Sequence, residues 1–237
     1  MPVHITELHS WNLAPDEAIA VQRELAAQII TDQPLDLPNL KLVGGVDVSV
    51  KEHVSQAAVV VLRYPELDVV EVARATQPTT FPYIPGLLSF REGAVILDAM
   101  RKLQATPDVF IFDGMGTSHP RRIGIACHIG LFIDIPTVGC GKSRLVGSHD
   151  MLPETKGAWR ELKHRGETIG VVLRTRNNVS PVYVSVGNRA TLDTSRELVI
   201  RCTTRYRLPE PTRAAHNAAG QGGPQDSDGP SGQLTLF

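Results

Sequence analysis

Between Asp108 and Leu145 two short apolar runs bracket an amphipathic stretch, and no other feature restricts the fold of this chain as much. The first run, Val109 to Phe112, is too short for a helix and has no polar side, so it reads as a buried strand. An amphipathic segment from about Pro120 to Ile133 has the length of a helix, and a second strand is expected at about Thr137 to Gly139. Strand, helix and strand in this order make a βαβ unit, whose strands pair in parallel. The first strand ends abruptly in Asp113-Gly114 and the second in Gly141-Lys142-Ser143, with His119, Arg121 and Arg122 between them. Open α/β sheets place their sites at the C-terminal ends of such strands, so an acid, a histidine and a lysine fall where chemistry is expected.

The rest of the chain surrounds that unit. A helix is predicted from Pro15 to about Ile30, with Pro15, Asp16 and Glu17 in its first turn and Ala18, Val21, Leu25 and Ile29 at helical spacing. In VGGVDVSV, Val46, Val48 and Val50 alternate with Asp47 and Ser49, so a first strand turns the valines one way and the aspartate the other. Two more strands, about Ala57 to Arg63 and Val69 to Thr76, turn about Tyr64-Pro65-Glu66 and suggest an antiparallel meander. The stretch Phe81 to Gly86 holds two prolines and forms a stiff loop before a helix from Leu88 or Ser89 to Leu103. Beyond Gly147, strands are expected at Glu167 to Arg174 and Val182 to Val186, with Asn177-Asn178 in the turn between them. Helices follow at Leu192 to Cys202, with Thr194 and Glu197 at capping-box spacing, and at Pro209 to about Ala219. Three antiparallel strands followed by alternating helices and parallel strands is the order of a ribonuclease H-like α/β fold, a mixed central sheet with flanking helices.

Composition narrows the function classes. With 237 residues and 42% hydrophobic content the chain can bury one sizeable core, expected to span residues 1–219 as a single domain. It lacks an uncharged apolar run long enough for a membrane span, and its first residues lack the basic and apolar parts of a signal peptide, so a cytoplasmic monomer away from membranes is expected. Cys127, Cys140 and Cys202 form no close pair, which argues against a disulfide framework or a zinc site and for buried, reduced thiols. The net charge of −1 does not favour nucleic acid by itself, but the basic residues are grouped: Arg121 with Arg122, Lys142 with Arg144, and Arg201, Arg205, Arg207 and Arg213. Grouping makes local positive surface without a basic total.

Three carboxylates are poorly explained by solvation: Asp47 within an apolar strand, Glu92 in the first turn of a helix, and Asp113. Glu92 also stands three residues after Ser89, the spacing of a capping box, and Asp113 before Gly114 can serve a turn. In a ribonuclease H-like sheet the first and fourth strands are neighbours, so the two aspartates can meet. Carboxylates brought together repel and call for a cation, and a hard ion such as Mg²⁺ keeps ligand positions for water and phosphate. Hydrolysis of a phosphodiester is the reaction such a site suits. A nucleotide-hydrolase reading of Gly141-Lys142-Ser143 fails, because the P-loop needs a glycine where Pro136 stands.

Four motifs in order, VGGVDVSV, PYIPGLLSFRE, DGMGTSHPRRIGIACHIGL and IPTVGCGKSRL, resemble the endonuclease V family over roughly Val43 to His216. The resemblance implies a ribonuclease H-like fold and an Mg²⁺- or Mn²⁺-dependent nuclease. Such an enzyme cuts the second phosphodiester bond 3′ to deoxyinosine, leaving a 3′-hydroxyl and a 5′-phosphate. On this resemblance Asp47, Glu92 and Asp113 are metal-binding carboxylates, and His216 completes the acidic centre. His119 and Lys142 match basic positions near the cut phosphate, and Tyr83 within Pro82-Tyr83-Ile84-Pro85 matches the wedge that enters the duplex. Leu88, Gly114 and Gly116 are expected to border a flipped base, with Arg121 and Arg122 toward the DNA. The family commonly has histidine at the position of Met115 and often alanine at that of Gly141. Alternatives are a related nuclease for branched DNA or inosine RNA, and a non-catalytic nucleic-acid adaptor.

The tail, residues 220–237, is rich in Gly, Pro, Gln, Ser and Asp and is expected to be disordered. Its end, Gln233, Leu234, Thr235, Leu236 and Phe237, resembles the peptide by which bacterial repair proteins dock on the sliding clamp.

Overall fold

The computed structural model describes residues 3–220. The tail from 221 onward, with the clamp-like residues Gln233, Leu234, Leu236 and Phe237, lies outside the described residues. Helix α1 (Pro15–Ala26) precedes a meander of β1 (Leu42–Lys51), β2 (Val54–Arg63) and β3 (Val69–Pro78). Then come α2 (Leu88–Met100), β4 (Val109–Phe112), α3 (Ile125–Ile133) and β5 (Thr137–Gly141). Three further strands, β6 (Trp159–His164), β7 (Glu167–Leu173) and β8 (Val182–Asn188), lead to α4 (Leu192–Arg201) and α5 (Glu210–Ala218).

All eight strands share one sheet in the order β3-β2-β1-β4-β5-β8-β7-β6. The meander pairs antiparallel, β1, β4 and β5 pair in parallel, and β8, β7 and β6 continue antiparallel. This is the ribonuclease H-like mixed sheet, with helices on both faces. Alternation along β4 divides the core: Phe110 and Phe112 pack with Val46, Val48, Ile96 and Met100, while Val109 and Ile111 pack with Val43, Val184, Leu198 and Ala215. Because β4 is buried on both sides it needs apolar residues throughout, which is why its boundaries are readable from composition alone.

Several expectations differ from the structure in physically instructive ways. Helix α1 stops at Ala26 because the backbone of Ile30 is engaged elsewhere, its N–H on Asn188 Oδ1 at 3.0 Å and its carbonyl on the N–H of Arg189. Helix α3 begins at Ile125, since residues 120–124 form a loop in which Arg122 takes a positive φ. The helix after the proline loop ends at Met100, and Leu103 follows in a turn, buried. Strand β6 was not foreseen, because an exposed edge strand of sequence WRELKH carries neither alternation nor an apolar run. The cap of α4 is Thr191, which exchanges hydrogen bonds with Thr194, while Glu197 pairs with Arg201. The three cysteines are buried and unpaired, as expected. Among the described residues no helix is long and apolar enough to cross a membrane.

Candidate active site

The register of β1 against β4 builds the site. Val46 stands opposite Phe112, and the N–H of Asp113 donates to the Val46 carbonyl at 3.0 Å, so Asp47 and Asp113 emerge side by side. Helix α5 adds the third group. It can lie directly on β1 because Gly45 has no side chain: a Cβ there would meet the Pro211 carbonyl oxygen at 1.9 Å. That close approach brings His216 Nδ1 to 2.8 Å from Asp47 Oδ2. One donor atom each from Asp47, Asp113 and His216 lie within 4.8 Å of one another. From the end of β5, Lys142 places Nζ 2.6 Å from Asp113 Oδ2 and 3.5 Å from His216 Nδ1.

Glu92 belongs to the same electrostatic system. Burial and the nearby Asp47 carboxylate push its pKa up to about 8, with Asp113 adding to the effect. Burial, and next the charge of Asp113, also raise Asp47. Carboxylates held where their charges are disfavoured have the chemistry of a divalent-cation site, and oxygen donors with one imidazole fit Mg²⁺ or Mn²⁺. Glu92 is not a helix cap. It lies in the second turn of α2, and Ser89, whose spacing suggested a capping box, gives its hydroxyl to His128 Nδ1 at 2.8 Å.

Ser89 closes a buried chain. His9 Nδ1 must carry a proton to donate to the Ser10 carbonyl at 2.9 Å, so its Nε2, with the ring neutral, accepts from His128 Nε2 at 2.7 Å. His128 Nδ1 then accepts from Ser89, which is consistent with burial holding His9 below its usual pKa and His128 at about 3. Trp11 packs in the same aromatic cluster and lies against Gly93, where a Cβ would come within 2.4 Å of the indole. The N-terminal segment thus buttresses the helix that carries Glu92.

Beside the acidic cluster opens a cavity of about 280 Å³ whose wall includes Asp113, Gly114, Met115, Gly141 and Lys142. The proline loop forms its lip: Tyr83, Ile84 and Pro85 line it, and Tyr83 is 72% exposed, whereas Ile84 packs against the body. One carbonyl pins this loop. Gly86, at φ +84°, accepts from Gln22 Nε2 and His119 Nε2, each at 3.0 Å, and from Arg121 at 2.7 Å. Arg121 also donates to Gln22 Oε1 at 2.6 Å.

Several residues expected at the site are held by contacts that the sequence does not show. His119 uses Nε2 on Gly86 and Nδ1 to accept from the Arg121 N–H, and burial, helped by Arg121, lowers its pKa to about 4. It is a neutral anchor of the proline loop, with neither nitrogen left for a phosphate. Arg122 bonds Glu167, the His119 carbonyl and His164, so it ties loops together. Gly116 is not at the cavity: its N–H bonds Ser185 Oγ, and a Cβ would strike the Val186 carbonyl oxygen at 1.9 Å. Pro82 is exposed beside the lip, and Leu88 and Gly114 do line the cavity. Residues missed on the wall include Gln22, Ser89, Gly124, Ile125, Ser143, Arg144 and Leu145. Gln22 had a signal, since it falls on the buried stripe of α1 between Ala18 and Leu25, where an amide needs partners.

A mixed sheet that brings two aspartates together on neighbouring parallel strands, with a histidine and a lysine closing on them, belongs to the ribonuclease H-like nucleases. Within that class the endonuclease V family model matches residues 23–217, and the chain belongs to this family. An endonuclease V of Trichormus variabilis is 50% identical over 219 residues, 92% of this chain and 99% of the relative. The Streptomyces avermitilis endonuclease V structure superposes with a TM-score of 0.85 at 38% identity, covering 93% of this chain and 97% of that one. The Ciona intestinalis endonuclease V, solved with a DNA 24mer containing an inosine followed by a ribo-adenosine, gives a TM-score of 0.73 at 27% identity, covering 87% and 96%.

Proposed function

We propose that this protein is a DNA repair endonuclease that nicks the second phosphodiester bond 3′ to deoxyinosine, leaving a 3′-hydroxyl and a 5′-phosphate. The observation that carries the reading is that the cavity and the acidic cluster share Asp113 and Lys142, so a base held in one lies beside phosphates held at the other. The inosine-containing DNA bound by the Ciona relative supports the same substrate. Tyr83, on a loop stiffened by two prolines, fills the stack that the flipped base leaves, and Leu88 and Gly114 border the base. Asp47 and Asp113, with Glu92 and His216, would hold Mg²⁺ or Mn²⁺, which when bound would supply charge neutralisation at a phosphate and a more acidic water. Lys142 offers a cation to the same phosphate, and the proline loop keeps the base in place while the bond is cut.

The test is nicking of a deoxyinosine duplex with Mg²⁺, run beside unmodified, branched and inosine RNA substrates. Asp47→Ala and Asp113→Ala should abolish nicking while binding in Ca²⁺ survives; full activity in either variant overturns the site. Preference for the branched substrate would favour the related-nuclease alternative, and binding with no cleavage of any substrate the adaptor. For the tail we propose that Gln233, Leu234, Leu236 and Phe237 dock on the sliding clamp of a bacterial replication system, tethering the nuclease to DNA. Clamp pull-down should lose Leu236→Ala and Phe237→Ala together, and equal retention of both overturns it.

A further inference from the structure

Two residues of the cavity wall, Met115 and Gly141, lie against each other. A Cβ placed on Gly141 would lie 2.4 Å from Met115 Cε and 2.9 Å from Sδ. Its next neighbour, the Ser143 carbonyl oxygen, is an ordinary 3.5 Å away. Nothing else requires glycine at this position, since its φ lies outside the left-handed region. The neighbouring glycines differ. Gly139 would meet the Gly116 nitrogen at 2.4 Å and Gly124 the Met115 carbonyl oxygen at 2.2 Å, backbone atoms that cannot move aside. Gly141 alone among these yields space to the far end of one flexible side chain.

Met115 follows Asp113 by two residues, and Gly141 immediately precedes Lys142, so the pair joins the two segments that carry the site's acid and base. The thioether lines the cavity, with Ser118 Oγ 3.5 Å from its sulfur. We propose that Met115 is a specificity-determining residue for the flipped base and that Gly141 is its berth. This rests on the cavity being the base site. A thioether offers a base polarisable surface and no strong hydrogen bond, and it adapts its shape to what lies against it. A wall of this kind discriminates by contour. It does not tell a carbonyl at C6 from an amino group of nearly the same size; it sets how much bulk the pocket takes, and so the ratio of hypoxanthine to the bulkier xanthine.

The prediction is non-additivity. Gly141→Ala forces the thioether off its berth and into the cavity, at little cost to the fold, because the displaced atoms are the free end of Met115. Single-turnover nicking of hypoxanthine and xanthine duplexes should be measured for the wild type, Gly141→Ala, Met115→Ala and the double variant, with thermal melting as the check on folding. Gly141→Ala should raise the half-saturating enzyme concentration about tenfold for hypoxanthine and more for xanthine, with the saturated rate within about twofold. With Met115→Ala already present, Gly141→Ala should add less than about twofold. Should Gly141→Ala misfold alone, recovery of folding and nicking in the double variant makes the same point. An equal penalty in both backgrounds, or a loss confined to the saturated rate, overturns the proposal, since the effect would then run through Lys142. A wild type that does not prefer the hypoxanthine duplex over an unmodified one overturns the parent reading as well, whatever the variants do.

Discussion

The acidic cluster and the proline-loop cavity adjoin one another but are held together by opposite means. The cluster stands on strand register and on a helix laid against Gly45, and its charges oppose the fold: burial and mutual repulsion raise Asp47 and Glu92. The cavity lip has no regular structure, and side-chain donors from α1 and the loop after β4 converge on the Gly86 carbonyl to fix it. The comparison teaches that groups which do chemistry can be electrostatically costly where the backbone is rigid. Groups that shape a loop must themselves be fully satisfied.

The sharpest way to break this contrast is Asp113→Asn. Nicking should fall on the order of 10³-fold or more. Stability without divalent ions should change little in a denaturant titration, because losing a repulsive neighbour of Asp47 and Glu92 offsets losing the ion pair with Lys142. A clear loss of stability would show that the cluster supports the fold after all. Next in size is Tyr83→Ala, expected to weaken binding of the inosine duplex in Ca²⁺ by about 1–3 kcal/mol, as for a lost stacking partner. Because the ring is exposed, the melting temperature should not change. Gln22→Leu does the reverse: loss of a buried partner of Gly86 and Arg121 should cost about 1–3 kcal/mol of stability and leave the saturated nicking rate near wild type.

The last test is a difference in pH slope. His119, lowered to about 4, stays neutral in the folded chain while the unfolded chain takes up a proton near pH 6.5. Its contribution is therefore present above pH 6.5 and lost as pH falls toward 4, and His128, at about 3, acts in the same direction. Glu92, raised to about 8, holds a proton that the unfolded chain has released, so between pH 4.5 and 8 its contribution grows as pH falls. Glu92→Gln should thus make stability decline more steeply on acidification, by up to about 1.4 kcal/mol per pH unit in that window. Identical slopes in the two proteins would remove Glu92 from the linkage.

What the sequence disclosed follows the same division. The bounds of β4 and the meander were legible because strand pattern determines them locally, and the adjacency of Asp47 and Asp113 followed from the strand order of a ribonuclease H-like sheet. The role of Ser89 was misread since its spacing to Glu92 is a local signal, whereas its partner His128 arrives from α3. The contacts of His119 and Gly116 were hidden for a related reason: their partners, the Gly86 carbonyl and β8, lie far off in the chain. Strand β6 left no signal because an exposed edge needs no apolar face.

The packing of Trp11 on Gly93 bears on where the working unit begins. The family match starts at residue 23, yet His9 and Trp11 wall the far side of the helix that carries Glu92. A protein trimmed to its family boundary would retain every carboxylate, histidine and lysine of the cluster and lose the packing behind α2. Loss of Trp11 would uncover the Gly93 face of α2. The packed body is therefore longer than the segment by which its kinship is recognised.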